Sequence, residues 1–345
     1  MQKPFFSIII PAYNLENYIA AALQSVLVQT FQDFEIIIVD DGSSDETVSI
    51  IQSFHDPRIR LVSQVNGGVS RARNAGMKKA VGAYIAFLDG DDYWYPEHLE
   101  LAADFFNRHP EILAYANRYM RDELEAIPPR PPSYPESIRR LGIRGVLFMH
   151  PSSIILNSSL ASRLPPWEEA MPYGEDGLYW TRCMRGTGLI GLGGSVTSIY
   201  RQRASSAMHD EHYQHVSLHS LIAPLLNELE AMKNPKWQFA VHYLVIRELH
   251  PKRLLSLNAE ERISLTGRIR KIMHPCLNRP FLDSYMKACS ARAGMEQSFS
   301  ALMDRTMFSC KWLDRLERMG RSLFFRLQTN NGMESKHQDP ARSRS

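Results

Sequence analysis

Three apolar runs near the start of this chain each stop against a polar cluster. Phe5–Ile10 stops at Pro11-Ala12-Tyr13-Asn14, Phe34–Val39 at Asp40-Asp41-Gly42-Ser43, and Tyr84–Leu88 at Asp89-Gly90-Asp91-Asp92. Runs this short and this continuously apolar read as strands buried on both faces. Between the first two, Tyr18, Ile19, Ala22, Leu23, Val26 and Leu27 recur at helical spacing, with Asn14 placed to cap them. Ser43 and Glu46 have capping-box spacing and predict a second helix to about Phe54. Arg60-Leu61-Val62 predicts a short strand, and Asn66-Gly67-Gly68 turns the chain into a helix over Val69–Ala80. The alternation predicts an α/β fold, with a mostly parallel sheet flanked by helices.

In such a sheet the carboxyl ends of the strands share one rim, where ligands bind. The polar clusters therefore converge, and the crevice is anionic unless a cation enters. An oxygen-rich aspartate site suits Mg²⁺ or Mn²⁺, whose shell is completed by phosphate and water. A net charge of +3 over 345 residues, with no arginine-rich patch interleaved with aromatics near the start, points away from nucleic acid. A chain of this length favours two structural units.

Cys183, Cys276, Cys289 and Cys310 form no C-x-x-C pair and read as reduced thiols in a reducing, cytoplasmic setting. Met1 to Phe6 reads as the approach to a strand and not as a signal peptide. The uncharged stretch Gly186 to Tyr200 falls short of the roughly 20 residues a membrane helix needs.

Four segments in order carry a resemblance. They are Ser7-Ile8-Ile9-Ile10-Pro11-Ala12-Tyr13-Asn14, Val39-Asp40-Asp41-Gly42-Ser43, Asn66-Gly67-Gly68-Val69-Ser70-Arg71-Ala72-Arg73-Asn74-Ala75-Gly76 and Phe87-Leu88-Asp89-Gly90-Asp91-Asp92. Together they resemble the ordered signature of the family 2 glycosyltransferases, inverting enzymes of GT-A fold, over roughly residues 4–209. The resemblance implies that Pro11 and Tyr13 frame a nucleobase and that Asp41 accepts a hydrogen bond from a uracil imide, which favours a UDP-sugar. It implies that Arg71 or Arg73 helps hold the nucleotide. Asp89-Gly90-Asp91 matches the D-x-D element, with Asp91 as metal ligand, Asp89 facing the ribose or sugar, and Asp92 assisting.

Tyr173-Gly174-Glu175-Asp176-Gly177 resembles the family's E-D element, with Asp176 the candidate base and Glu175 its neighbour. Residues Tyr200 to His209 resemble the segment that closes over the diphosphate, where Arg201, Arg203 and His209 would neutralise charge. The implied reaction is a hexosyltransferase-type transfer to a hydroxyl of a glycan or lipid-linked acceptor, in surface polysaccharide or glycolipid synthesis. The chain has no Q-x-x-R-W, which favours one sugar per binding event.

Taken singly, these features have plainer readings. Asp40-Asp41 alone reads as a solvated turn and helix cap, Glu175-Asp176 as charge at a helix start, and Arg71 and Arg73 as surface residues. A calcium loop fails at Tyr93 and Trp94, and no G-x-G-x-x-G follows the first strand. Two rivals remain: a phosphatase or phosphotransferase with Asp89 as nucleophile, and a non-catalytic sugar-nucleotide binding module.

The domain reading is a catalytic domain over 1–209, divided into a nucleotide-binding half at 1–110 and an acceptor half at 111–209. A helical region at 210–329 and a polar, disordered tail at 330–345 follow. His150-Pro151-Ser152-Ser153 is expected near the acceptor, while Trp167 either lines that pocket or packs in the core. Leu218, Leu221, Leu225, Leu226 and Leu229 fit a helix. Residues 311–327, with Trp312 and Phe324 among Arg315, Arg318 and Arg321, read as a basic amphipathic helix for peripheral contact with the cytoplasmic face of a membrane.

Overall fold

The computed structural model describes residues 3–122, 127–129, 133, 135–139, 149–202, 218–231, 241, 244, 245, 257 and 259–272. The chain opens with β1 (Phe6–Ala12), α1 (Ile19–Leu27), β2 (Phe34–Asp40), α2 (Thr47–Gln52), β3 (Ile59–Ser63), α3 (Val69–Lys79) and β4 (Tyr84–Phe87). All of β1 is buried, and its side chains divide between the two faces as strand alternation requires. Ile8 and Ile10 join Ile36, Ile38 and the α1 residues Ile19, Leu23 and Val26 on one side. Ile9 joins Phe87 and Trp180 on the other.

β1 pairs in parallel with β2, setting Ala12 beside Asp40, and with β4, setting Ile9 beside Phe87. The chain thus steps from β1 out to β3 and returns to the opposite flank of β1. The switch point lies between β1 and β4, where a ligand crevice forms.

The second half supplies β5 (Tyr93–Trp94), α4 (His98–Arg108), β6 (Ala114–Asp122), β7 (Ser137–Arg139), a 3₁₀ turn at Pro151–Ser153, β8 (Ile154–Asn157), α5 (Ser158–Ala161), α6 (Glu175–Thr187) and β9 (Ile190–Arg201). The sheet order is β3-β2-β1-β4-β8-β6-β9-β5, with β7 also on β9. β8 runs antiparallel to β4 and to β6, and β9 runs parallel to β6. Two reversals restore direction, so β6 and β9 end on the same rim as β1, β2 and β4. The parallel expectation therefore holds for the four strands it was read from, and the sheet beyond them is mixed.

Two expected caps are not formed. Asn14, with φ of 51°, reaches across the loop, so that Ser44 N donates to its Oδ1 at 2.9 Å. α1 instead begins at Ile19 after Tyr18, with no side-chain cap. Ser43 Oγ accepts from Asn14 N at 3.0 Å, and the N-terminus of α2 is served by Asp45, which accepts from Thr47 N. Both polar side chains are used to lock the end of β1 to the loop after β2.

Beyond β9 the described chain is helical, with α7 (Leu218–Ala231) and α8 (Ala259–Ile272). Ile222, Leu225, Leu226 and Leu229 are buried, and α7 is tied to α6 by Glu228, which binds Arg182 at 2.9 Å and also Arg185. A Cβ on Gly177 would come within 3.0 Å of Leu244, so this region packs directly behind the start of α6. No helix among the described residues is long and apolar enough to cross a membrane. Cys183 is buried, and burial pushes its thiol pKa up. The other three cysteines, the side chains of Leu218 and Leu221, and residues 311–345 lie outside the described residues.

Candidate active site

The rim over β1 and β2 is built around a buried carboxylate. Asp41 Oδ1 accepts from Gln64 Nε2 at 2.7 Å and from Gly67 N at 3.0 Å, and Oδ2 accepts from Gly68 N at 2.7 Å. This is no solvated turn, since the residue is only 3% exposed. Gly67 N also lies 3.2 Å from Oδ2, so three donors make four bonds to the carboxylate. Gly68 takes φ of 87° to start α3, a conformation that favours glycine. Tyr13, half-exposed, stands just past the end of β1, while Pro11 is buried in the strand.

α3 carries the two arginines to different places. Arg71 is exposed and lies across Gly67, where a Cβ would meet its Cδ at 2.3 Å. Arg73 is buried and holds two acids from distant segments: Asp89 Oδ1 at 2.7 Å and Glu175 Oε1 at 2.9 Å. Its guanidinium also lies 4.5 Å over the Trp167 ring. Burial works against its charge, and the two carboxylates more than offset that. Its two terminal nitrogens each bind a carboxylate, so Arg73 ties the D-x-D turn to the start of α6.

The D-x-D turn sits against the end of β1. A Cβ on Gly90 would strike Leu15 Cδ1 at 2.7 Å and Pro11 O at 3.0 Å, so only glycine lets the turn lie this close. Asp92 is fully buried. It accepts from Ser152 Oγ and from Arg201 N at 3.0 Å. Burial foremost, then the charges of Asp91 and Asp89, push its pKa well above the ordinary range. Ser152 Oγ also accepts from Asp89 N, so one hydroxyl braces both ends of the turn. Arg201 Nε donates to the carbonyl of Asp91 at 2.9 Å, and its guanidinium lies 5.2 Å from the Tyr18 ring.

His150 completes this part of the rim, with Nε2 at 4.0 Å from Asp89 Oδ2 and Nδ1 at 3.5 Å from Asp92 Oδ2. Burial lowers its pKa, against the pull of Asp89 and Asp176, so the ring is neutral near pH 7.

Glu175 and Asp176 open α6. Glu175 is buried, and burial first, then the neighbouring Asp176, raises its pKa to about 7 against the opposing effect of Arg73. Asp176 is half-exposed, and its Oδ1 accepts from Gly177 N at 2.7 Å. Successive residues on a helix point about 100° apart, which leaves Glu175 facing Arg73 and Asp176 toward the open side.

A chain of contacts therefore joins the expected residues on one rim. Asp41 N donates to Ala12 O, Gly90 abuts Pro11, and Arg73 links Asp89 to Glu175. Among the described residues Asp89, Asp92 and His150 offer ligand atoms within 4.8 Å of one another, suited to a cation. Asp91, the expected ligand, stands outside that trio at the half-exposed tip of the turn. Trp167 is a core residue, stacked on Tyr179 at 4.0 Å. Arg203 and His209 lie outside the described residues. Sequence reasoning missed that Ser152 and His150 brace the D-x-D turn; the Pro-Ser-Ser run directly before an apolar strand was the available signal.

Residues 7–163 match the family model described as Glycosyl transferase family 2. An uncharacterized glycosyltransferase, EpsJ, of Bacillus subtilis is 50% identical over 92 residues, 26% of this chain and 27% of that protein. A chondroitin synthase of Escherichia coli is 43% identical over 107 residues, 30% of this chain and 16% of its own length. The chain thus spans about a quarter or less of these two curated relatives.

Among solved structures, TarS 1–349 of S. aureus in complex with UDP-GlcNAc superposes with a TM-score of 0.60 at 20% identity, covering 89% of this chain and 92% of that one. The mannosyltransferase PcManGT of Pyrobaculum calidifontis, in complex with GDP-Man and Mn²⁺, gives 0.53 at 17%, covering 90% and 88%. Both are similar in fold. Residues 7–163 thus match glycosyl transferase family 2, and the fold is the GT-A fold of these solved glycosyltransferases.

Proposed function

We propose that this protein transfers a sugar from a nucleotide-diphosphate donor to a hydroxyl of a glycan or lipid-linked acceptor, with inversion and one sugar per binding event. The observation that carries the reading is Arg73 clamped between Asp89 and Glu175. It fixes the D-x-D turn next to the half-exposed Asp176. Tyr13 offers a ring face for a nucleobase, and the buried Asp41 beside it is the acid to read an imide N–H, which favours uridine. Asp176 takes the proton of the attacking hydroxyl.

The hard oxygens of the turn fit Mg²⁺ or Mn²⁺. Asp89 offers a ligand atom beside those of Asp92 and His150, and Asp91 at the tip of the turn is the further carboxylate to hold the ion. When bound, the ion neutralises the charge that builds on the departing diphosphate. The chondroitin synthase relative supports a setting in polysaccharide synthesis. Cytoplasmic placement with peripheral membrane contact rests on the sequence pattern of 311–327, and liposome sedimentation with and without that segment tests it. A panel of UDP-, GDP- and dTDP-sugars, scored by released nucleoside diphosphate with and without EDTA, tests the reaction. Release from one donor, abolished by EDTA and restored by Mg²⁺ or Mn²⁺, is expected; no release from any donor counts against it.

A further inference from the structure

Beyond the catalytic acids the rim carries an aromatic patch that the donor does not need. β6 and β9 lie side by side with Arg121 opposite Tyr200. The His150 ring sits 4.6 Å from Tyr200 and 5.3 Å from Tyr119, which places both tyrosines on the face that bears Asp89. Arg121 is exposed, with its guanidinium 5.6 Å over the Tyr200 ring, close enough to His150 to disfavour that ring's protonation. Among the described residues no carboxylate lies within ion-pair distance of Arg121, although five acids crowd the neighbouring rim.

Neighbouring strands are about 4.8 Å apart. β6 is four strands beyond β2, which puts Arg121 roughly 19 Å from the nucleobase end, while the D-x-D turn reaches over to β9, where Arg201 binds Asp91 and Asp92. The Tyr200 and His150 rings stand between Arg121 and Asp89. Half-buried tyrosines offer apolar faces that suit the C–H surface of a sugar ring, with polar tips that remain wet. A cation held on such a ring, with no carboxylate among the described residues at ion-pair distance, suits an anion on the ligand.

We propose that Tyr119, His150 and Tyr200 form an acceptor subsite and that Arg121 selects acceptors bearing a carboxylate or phosphate next to the sugar that receives the transfer. The assignment rests on the glycosyltransferase reading and names the acceptor class for it.

The test uses the full chain saturated with UDP and Mg²⁺, so that the donor site is filled. The UDP titration itself reports whether the donor reading stands. Binding of methyl glucoside, methyl glucuronide and glucose 1-phosphate is then followed by ligand-observed NMR in the wild type, Arg121→Gln and Tyr119→Ala. One exposed arginine is worth up to about fivefold in affinity. The wild type is expected to prefer a charged probe by about that factor, Arg121→Gln to bind all three alike, and Tyr119→Ala to weaken all three. Preference for the carboxylate or for the phosphate supports the proposal and names the anion. Equal binding of neutral and charged probes by the wild type, or a preference that survives in Arg121→Gln, overturns it even if UDP binds.

Discussion

Replacing Glu175 with Gln isolates the energetic cost of the buried acid at the centre of the site. In the folded chain Glu175 has its pKa raised from 4.5 to about 7, with burial the first cause. Between those values the folded state binds the proton more tightly than the unfolded state does, so stability falls as pH rises through the window. Below pH 4.5 both states are protonated and the effect vanishes. At about 1.4 kcal/mol per tenfold change, ionising this carboxyl costs the native state about 3 kcal/mol by pH 7.5.

His98 and His150 have lowered pKa values, to about 3 for His98, and give the opposite slope. They are common to both proteins and cancel in the difference. Urea unfolding of wild type and Glu175→Gln, followed by the fluorescence of buried Trp167 and Trp180, should therefore show the variant gaining about 3 kcal/mol relative to wild type between pH 4.5 and 7.5. A stability difference that does not change with pH would refute the reasoning.

Three further outcomes are expected. Asp91→Asn should lower Mg²⁺- or Mn²⁺-stimulated donor turnover on the order of 100-fold, with the metal titration shifted to higher concentration. Tyr13→Ala should raise the donor KM by roughly 5- to 150-fold, the value of one base stacked on a ring, with kcat little changed. Gly191→Ala should cost about 1–3 kcal/mol of stability in denaturant melts, as overpacking does, because its Cβ would lie 2.1 Å from Phe105 Cζ, while activity of the folded fraction is kept.

The strands were legible because burial on both faces leaves an unbroken apolar record in Ile8-Ile9-Ile10 and Ile36-Ile37-Ile38. The strand ends followed from that, and with them the common rim for Asp41 and Asp91, whereas Asp176 was read from the resemblance of the Glu175-Asp176 pair. The caps were not legible. Asn14 and Ser43 carry the side chains a local cap would use, but both bond across a gap of about 30 residues, and such partners leave no periodic trace.

The same limit hid the role of Arg73, whose acids lie 16 and 102 residues away. It hid Ser152 as the brace of a turn 60 residues earlier. The rim contributed by β6, β8 and β9 depends on two strand reversals, and these arise from pairings rather than from any one segment. Arg121 and Tyr119 gave no warning of their position for that reason.

The account turns on Asp176 removing the proton of the acceptor hydroxyl. Steady-state transfer by Asp176→Asn, measured with the donor and acceptor that the wild type uses, tests this most directly. A loss of roughly 100- to 10,000-fold in kcat, with donor KM within twofold of wild type and the protein folded, is the predicted result. Transfer at an undiminished rate would contradict it.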